Sequence, residues 1–116
     1  MAKIVFEAMN ARDLSIAEPF LEEDVTFDFP GSGRMTGAKR VSLFIKVLLR
    51  KFPELSFTIQ EVILAEERAC TVWTNKGKHH DGSPYENSGM TLFHFNDGKI
   101  AFMSDYFKDT SFINES

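Results

Sequence analysis

Cysteine is almost missing from this sequence, and basic residues are in the minority. A single thiol among 116 residues cannot form an internal disulfide or build a cysteine-based zinc site. The 13 Lys and Arg residues are outnumbered by 17 Asp and Glu residues, which gives a formal charge of −4. A nucleic-acid-binding protein needs a concentrated basic face to neutralise phosphates. We therefore expect no nucleic-acid partner.

Long apolar runs are missing as well. No stretch approaches the roughly 20 apolar residues that cross a bilayer, and Glu7 and Arg12 interrupt the apolar N-terminal stretch, unlike a signal peptide. We expect a cytoplasmic protein with no membrane partner. A length of 116 residues predicts one domain over 1–116, without room for a separate cofactor domain. The glycine-rich segment 31–33 leads into a strand rather than a helix, which predicts no nucleotide or flavin cofactor.

Phenylalanine, by contrast, is abundant: 12 Phe residues accompany two Tyr and one Trp. A phenyl ring offers apolar area and no hydrogen bond. This excess predicts either a generous core or the lining of an apolar cavity, and composition alone leaves both open.

The periodicity of apolar residues predicts an α+β fold. Helical spacing extends over 2–11, from 13–15 to 22–24, and over 38–52. The order of elements places three helices on one side of a strongly curved antiparallel sheet, with a ligand-sized hollow between the layers. Two-residue alternation bounded by turn residues predicts the strands 25–29, 34–36, 55–65, 69–79, 85–95 and 99–107.

Alternation along the last strand separates two apolar faces. A three-residue hairpin loop at 96–98 would pair Phe95 with Lys99. We expect one face to line the hollow and the other to meet a second copy in a homodimer, because both faces need cover. The inner set is Ala101, Met103, Asp105 and Phe107, and the outer set is Ile100, Phe102, Ser104 and Tyr106.

Two interpretations are open for Asp105. A carboxylate among apolar side chains on the inner face has a raised pKa, which makes it a proton donor or acceptor near neutral pH. Alternatively, the strand has left the sheet before Asp105, and the carboxylate is solvated and has no chemical role.

Three stretches of sequence carry a family resemblance. They are DVTF at 24–27 with FPG at 29–31, FNDGKI at 95–100, and DYF at 105–107. With this order of elements, nearly the whole chain resembles the SnoaL-like branch of the nuclear transport factor 2 superfamily. The resemblance implies a cone-shaped, cystatin-like α+β roll that is often dimeric. It also implies one of several roles, because members include polyketide cyclases, a steroid isomerase, an epoxide hydrolase, dehydratases and domains that only bind.

The resemblance to the steroid isomerase branch does not extend to its polar residues. Its tyrosine and two acidic residues would fall on about Val5, Phe29 and Thr91 of this chain. Neither the base nor the oxyanion donors are present, so ketosteroid isomerisation is disfavoured.

The epoxide hydrolase branch is matched at one position. Its Arg-x-Asp pair aligns with Trp73 and Asn75, and its first-strand Tyr and Asn align with Phe27 and about Phe29. Asp105 alone matches the aspartate of the last strand. An aspartate there is also compatible with the SnoaL-type cyclases.

The neighbouring histidines His79 and His80 do not predict a metal site. Adjacent strand residues point to opposite faces, so the two rings cannot easily bind one ion. His79 shares the alternation of Trp73 and Asn75. It either reaches the mouth of the hollow as a second acid or base, or lies in a solvated loop.

These observations predict a cofactor-independent isomerase, cyclase, dehydratase or hydrolase acting on a small apolar, polyketide- or terpenoid-like compound. Asp105 would be the general acid or base, and Asn75 and His79 would place an oxygen or a water. The alternative is a non-catalytic module of the same fold that binds a small hydrophobic ligand or serves dimerisation. The expected pocket lining is Phe27, Phe29, Trp73, Thr91, Phe93, Met103 and Phe107.

Overall fold

The structure is a computed structural model that describes residues 1–114. Two α-helices, α1 (Ile4–Ala11) and α2 (Ala38–Lys51), pack on one mixed sheet, and single 3-10 turns occupy Leu14–Ile16, Glu18–Phe20 and Ser111–Asn114. The α+β roll that the sequence predicts is confirmed. The strands are β1 (Leu21–Phe29), β2 (Gly33–Thr36), β3 (Ser56–Ala65), β4 (Arg68–Lys78), β5 (Pro84–Asn96) and β6 (Lys99–Phe107).

The sheet places the first long strand beside the last one. The strand order is β2-β1-β6-β5-β4-β3, and β1 runs parallel to β6, with Phe27 beside Met103. All other neighbouring pairs are antiparallel. Because β1 and β6 are neighbours in the sheet, their inward side chains, such as Phe27 and Met103, lie side by side.

Polar side chains fix α1 against the start of β3. The Asn10 side chain exchanges two hydrogen bonds, of 2.9 and 2.8 Å, with the backbone of Phe57. The Arg12 guanidinium donates to the carbonyl oxygens of Pro53, at 2.6 Å, and Leu55, at 2.7 Å. These bonds hold the helix across the sheet at one end. Over residues 1–114, each helix is too short or too polar to cross a membrane.

The second predicted helix is shorter than expected and is not α-helical. Asp13 rather than Ser15 caps the first 3-10 turn, since its carboxylate accepts a 3.1 Å hydrogen bond from the Ser15 backbone N–H. Pro19 lies in the second turn and offers no N–H to continue a helix. The chain enters β1 at Leu21, before the end predicted at 22–24.

The predicted three-residue hairpin loop at 96–98 is wrong. Asn96 pairs with Lys99, so the loop is Asp97-Gly98 alone. Both loop residues have positive φ, 50° and 78°, which a two-residue hairpin turn of type I′ requires.

The shorter loop moves Ile100 to the inner face. Phe95 pairs with Ile100 rather than with Lys99, and a bulge at Ala101 follows before Phe102 pairs with His94. Ile100 is fully buried, contrary to its predicted outer position. The bulge adds one residue, so it restores the predicted alternation from Phe102 onward.

Candidate active site

A cavity of about 70 Å³ lies between the helices and the sheet. One water molecule needs roughly 10–15 Å³ on this measure, so the cavity holds a few waters or a small ring. Apolar side chains from both α-helices, the segment 52–57, the sheet and the C-terminal turn form most of its wall. The polar side chains among its described lining residues are Asn75, Tyr85, Thr91 and Asp105.

Six of the residues predicted to form the pocket lie in this wall. Asp105 and Asn75, predicted as catalytic residues, also line the cavity. Rings in the wall meet edge to face, for instance Phe29 and Phe107 with centroids 5.5 Å apart. The six are Phe27, Phe29, Thr91, Phe93, Met103 and Phe107.

Asp105 projects from β6 between Met103 and Phe107. The strand continues to Phe107, so the carboxylate stays on the inner face and is not released to solvent at a strand end. Its Oδ1 accepts a 2.7 Å hydrogen bond from the hydroxyl of Thr91, its partner in register on β5. Burial among apolar groups raises the pKa of Asp105 to about 7, against the lowering effect of the Thr91 bond. This carboxyl can therefore donate or accept a proton near neutral pH.

Trp73 is not part of the cavity wall, contrary to the sequence prediction. Its side chain is 1% exposed and lies behind Phe107, with ring centroids 5.0 Å apart. The indole Nε1–H donates to the Thr91 hydroxyl at 3.0 Å. Gly89 lies opposite Trp73 on β5, and a Cβ there would come within 3.0 Å of two indole atoms. A Cβ there would also clash with the backbone oxygen of Tyr106, so glycine is needed at this position beside the indole.

Asn75 and Tyr85 supply polar groups at another part of the wall. Asn75 is 6% exposed, and its Oδ1 has no hydrogen-bond partner among the described residues. A buried acceptor of this kind favours a ligand or water that can donate to it. The Tyr85 hydroxyl accepts a 3.0 Å hydrogen bond from Asn87 Nδ2.

His79 does not reach the cavity. β4 ends at Lys78, so the strand alternation that linked His79 to Trp73 and Asn75 stops one residue too early. The His79 backbone N–H donates to the Ser83 carbonyl at 2.9 Å, and the ring packs edge to face on Tyr85 at 5.3 Å. The His79 side chain therefore contacts a residue of the cavity wall, Tyr85, and does not itself line the cavity.

Ten of the 18 described lining residues were not predicted from the sequence, and eight of these ten lie on α1, on α2 or in the segment 52–57. The other two are Tyr85 and Phe112. Tyr85 has the same alternation as Thr91 and Phe93 on β5, and extending that pattern toward the strand's start would have found it. Phe112 belongs to the C-terminal 3-10 turn, between exposed neighbours, and packs on Phe107 at 4.7 Å. No periodic signal indicated that this turn closes the cavity.

The sequence profile of the SnoaL-like domain matches residues 3–103. The chain belongs to the SnoaL-like domain family. No curated protein matches it in sequence. The family assignment agrees with the α+β roll described above.

Solved structures share the fold of this SnoaL-like protein at low sequence identity. An NTF2-like protein of Burkholderia pseudomallei has a TM-score of 0.86 and 23% identity, over 97% of this chain and 91% of its own. TerC, crystallised with polyporic acid, has a TM-score of 0.84 and 18% identity over 97% and 91% of the two chains. IdmH of Streptomyces antibioticus, proposed to be a polyketide cyclase, has a TM-score of 0.82 and 16% identity over 97% and 92%.

Proposed function

We propose that this SnoaL-like protein is a cofactor-independent enzyme that moves a proton on a small apolar compound, in an isomerisation, cyclisation, dehydration or hydrolysis. Asp105 is its general acid or base. The observation that carries this proposal is the carboxyl group of Asp105 in an apolar wall, with a pKa of about 7. A group with this pKa exchanges protons efficiently at neutral pH.

The wall of the cavity favours a neutral, largely apolar substrate. Among the described lining residues there is no Lys, Arg or His to hold an anionic group. The rings of Phe27, Phe29 and Phe93 offer surface for a cyclic, polyketide- or terpenoid-like skeleton. The proposed polyketide cyclase IdmH, which has the same fold, supports a polyketide-like substrate.

Asn75 is the second polar group in the proposed site. Its unpaired Oδ1 would accept a hydrogen bond from a substrate hydroxyl or from a water. An amide cannot act as a base, so Asn75 positions an oxygen while Asp105 transfers the proton. His79 has no direct part in this proposal because it packs behind Tyr85.

A substrate larger than a few waters requires the cavity to widen. Phe112 packs on Phe29 and Phe107 with ring centroids 6.1 and 4.7 Å away. The turn Ser111–Asn114 that carries it lies outside the sheet. We expect this turn to move outward when a ring system enters.

The small size of the cavity favours a second candidate, a non-catalytic module that binds a small hydrophobic ligand. In that case the roughly 70 Å³ between the layers is a binding cavity and Asp105 only orients the ligand. Both candidates predict that a small hydrophobic compound binds, but only the enzyme converts that compound to a product.

Asp105→Asn separates the two candidates. A panel of neutral cyclic and aromatic ketones is screened by thermal shift, and compounds that raise the Tm are followed for conversion. As an enzyme, the variant should lose about 10²–10⁴-fold in turnover, because the proton donor or acceptor is gone, while ligand-induced stabilisation persists. Binding without conversion by the wild type supports the module, and retained turnover in the variant excludes Asp105 as the acid or base.

We also propose that the protein forms a homodimer through the outer face of the sheet. Ile63 and Tyr106 are 52% and 53% exposed on this face, and Leu92 and Phe102 are partly buried between them and their neighbours. Neither α-helix packs there, because both lie on the inner side. A second copy that presents the same apolar face would cover these side chains.

A further inference from the structure

Three inward side chains on neighbouring strands form a continuous hydrogen-bonded chain. The Trp73 indole Nε1–H donates to Thr91 Oγ1 at 3.0 Å, and Thr91 Oγ1 donates to Asp105 Oδ1 at 2.7 Å. Trp73 and Thr91 are 1% and 3% exposed. The bond from Trp73 to Thr91 is thus shielded from water, and the bond from Thr91 to Asp105 is partly buried at the cavity wall.

The chemistry of the three groups fixes the direction of this chain. An indole N–H only donates, so the Thr91 oxygen must accept from Trp73. The single hydroxyl hydrogen of Thr91 then points to Asp105 Oδ1, its acceptor in the structure. If Oδ1 carried a proton and donated to Thr91, the buried Thr91 hydrogen would have no acceptor among the described residues. That arrangement is disfavoured because unpaired buried polar groups are costly.

We propose that Thr91, held by Trp73, is a positioning residue that keeps Asp105 Oδ1 as an acceptor and makes Oδ2 the oxygen that gains and loses the proton. This inference rests on the proposed function, in which Asp105 exchanges a proton with the substrate. Oδ2 makes no hydrogen bond with a described residue, and Asp105 lines the cavity. The exchangeable proton is therefore presented to the cavity and not to the strand behind it.

Among the described residues that line the cavity, few titratable groups compete with the Thr91 bond in setting the pKa of Asp105. Tyr85 is the other titratable side chain in the described lining of the cavity, which includes residues of both helices and of β1, β4, β5 and β6. Burial raises the pKa of Asp105, and the Thr91 bond is the opposing influence. Removing the hydroxyl should therefore move the titration to higher pH.

The test compares Thr91→Val, Thr91→Ser and Thr71→Val with the wild type. The Asp105 carboxyl carbon is titrated by 13C NMR, and the indole N–H peak is followed in the same samples, which is unambiguous because the chain has one Trp. Thr71 is a matched control. It is a buried threonine on the same face, directly opposite Thr91 in register, and it donates to the Ala2 carbonyl at 2.8 Å.

We expect Thr91→Val to raise the Asp105 midpoint by about one pKa unit, the size of one lost hydrogen bond to a carboxylate. Thr91→Ser should restore the wild-type midpoint, and Thr71→Val should leave it unchanged although it also removes a buried hydroxyl. In the wild type, the indole peak should shift with the same midpoint as the carboxyl carbon. In Thr91→Val this common movement should disappear.

Two results would overturn the inference. One is an Asp105 midpoint that Thr91→Val and Thr71→Val change equally. The other is a wild-type indole peak that does not follow the carboxyl titration, a measurement that remains decisive if Thr91→Val does not fold. Neither measurement needs a substrate. If no compound is turned over but the titrations behave as expected, the proposed function fails and the positioning role stands.

Discussion

The two faces of strands β4 to β6 have the same alternation and opposite surroundings. On the inner face, Phe93 and Thr91 are buried, and Asp105 is partly buried in the cavity wall. On the outer face, Phe102 is partly buried and Tyr106 is 53% exposed. Enclosure gives a polar group on the inner face an altered proton affinity. Exposure of apolar groups on the outer face creates a surface that favours a partner.

Truncating one phenylalanine on each face tests this difference most directly. Phe93→Ala should lower the free energy of unfolding by about 3–5 kcal/mol, because it leaves a cavity in closely packed surroundings. Phe102→Ala, the matched change on the outer face, should cost about 1 kcal/mol in the monomer, since that ring already meets solvent. Urea denaturation at low protein concentration measures both values.

If Phe93→Ala and Phe102→Ala lowered the free energy of unfolding equally, the result would contradict the difference in burial between the two faces. If the loss of stability caused by Phe102→Ala grew with protein concentration, the ring would be buried between two copies of the chain, and the difference between the faces would be explained by association.

The pH dependence of stability tests the enclosure of Asp105. Its pKa is raised from 3.8 to about 7 in the folded protein, so between these pH values the folded state keeps a proton that the unfolded state has lost. Stability must then fall as the pH rises through this window, by about 4 kcal/mol in total, and the loss is complete above pH 7. The Asp105→Asn variant should not show this fall. Its free energy of unfolding should therefore increase relative to that of the wild type from pH 4 to pH 8.

The matched control for the loss of one carboxylate is Asp97→Asn in the exposed hairpin loop, where positive φ suits asparagine. Thermal or urea unfolding across the pH range gives the comparison. Parallel stability profiles for the wild type and Asp105→Asn would show that the carboxyl is solvated.

Much of this site could be predicted from the sequence because β6 keeps its alternation. The pattern placed Met103, Asp105 and Phe107 on one face, and the structure puts all three in the cavity wall. Ile100 was misplaced because the length of the hairpin loop decides its face, and the bulge at Ala101 then restores the predicted alternation for Met103 and Asp105. Alternation does not encode either of them.

Features that depend on packing between strands could not be predicted. The inner position of Trp73 follows from alternation, but its place behind the wall depends on the space above Gly89. The bond from Trp73 to Thr91 depends on that same placement. His79 was assigned by alternation although the strand ends at Lys78, and strand ends are the least predictable part of an element.

The proposed homodimer gives the last and smallest expected effect. Leu92 pairs with Cys70 on the outer face, whereas Leu64 pairs with Ala69 on the inner side of the same sheet and is 70% exposed. Leu92→Glu places a charge in the proposed interface and should weaken association about 100-fold, or about 2–3 kcal/mol. Leu64→Glu adds the same charge outside that face and should leave association unchanged. Sedimentation velocity across protein concentrations measures both. A wild type that sediments as a monomer throughout, or equal effects of the two variants, would exclude the outer face as the interface.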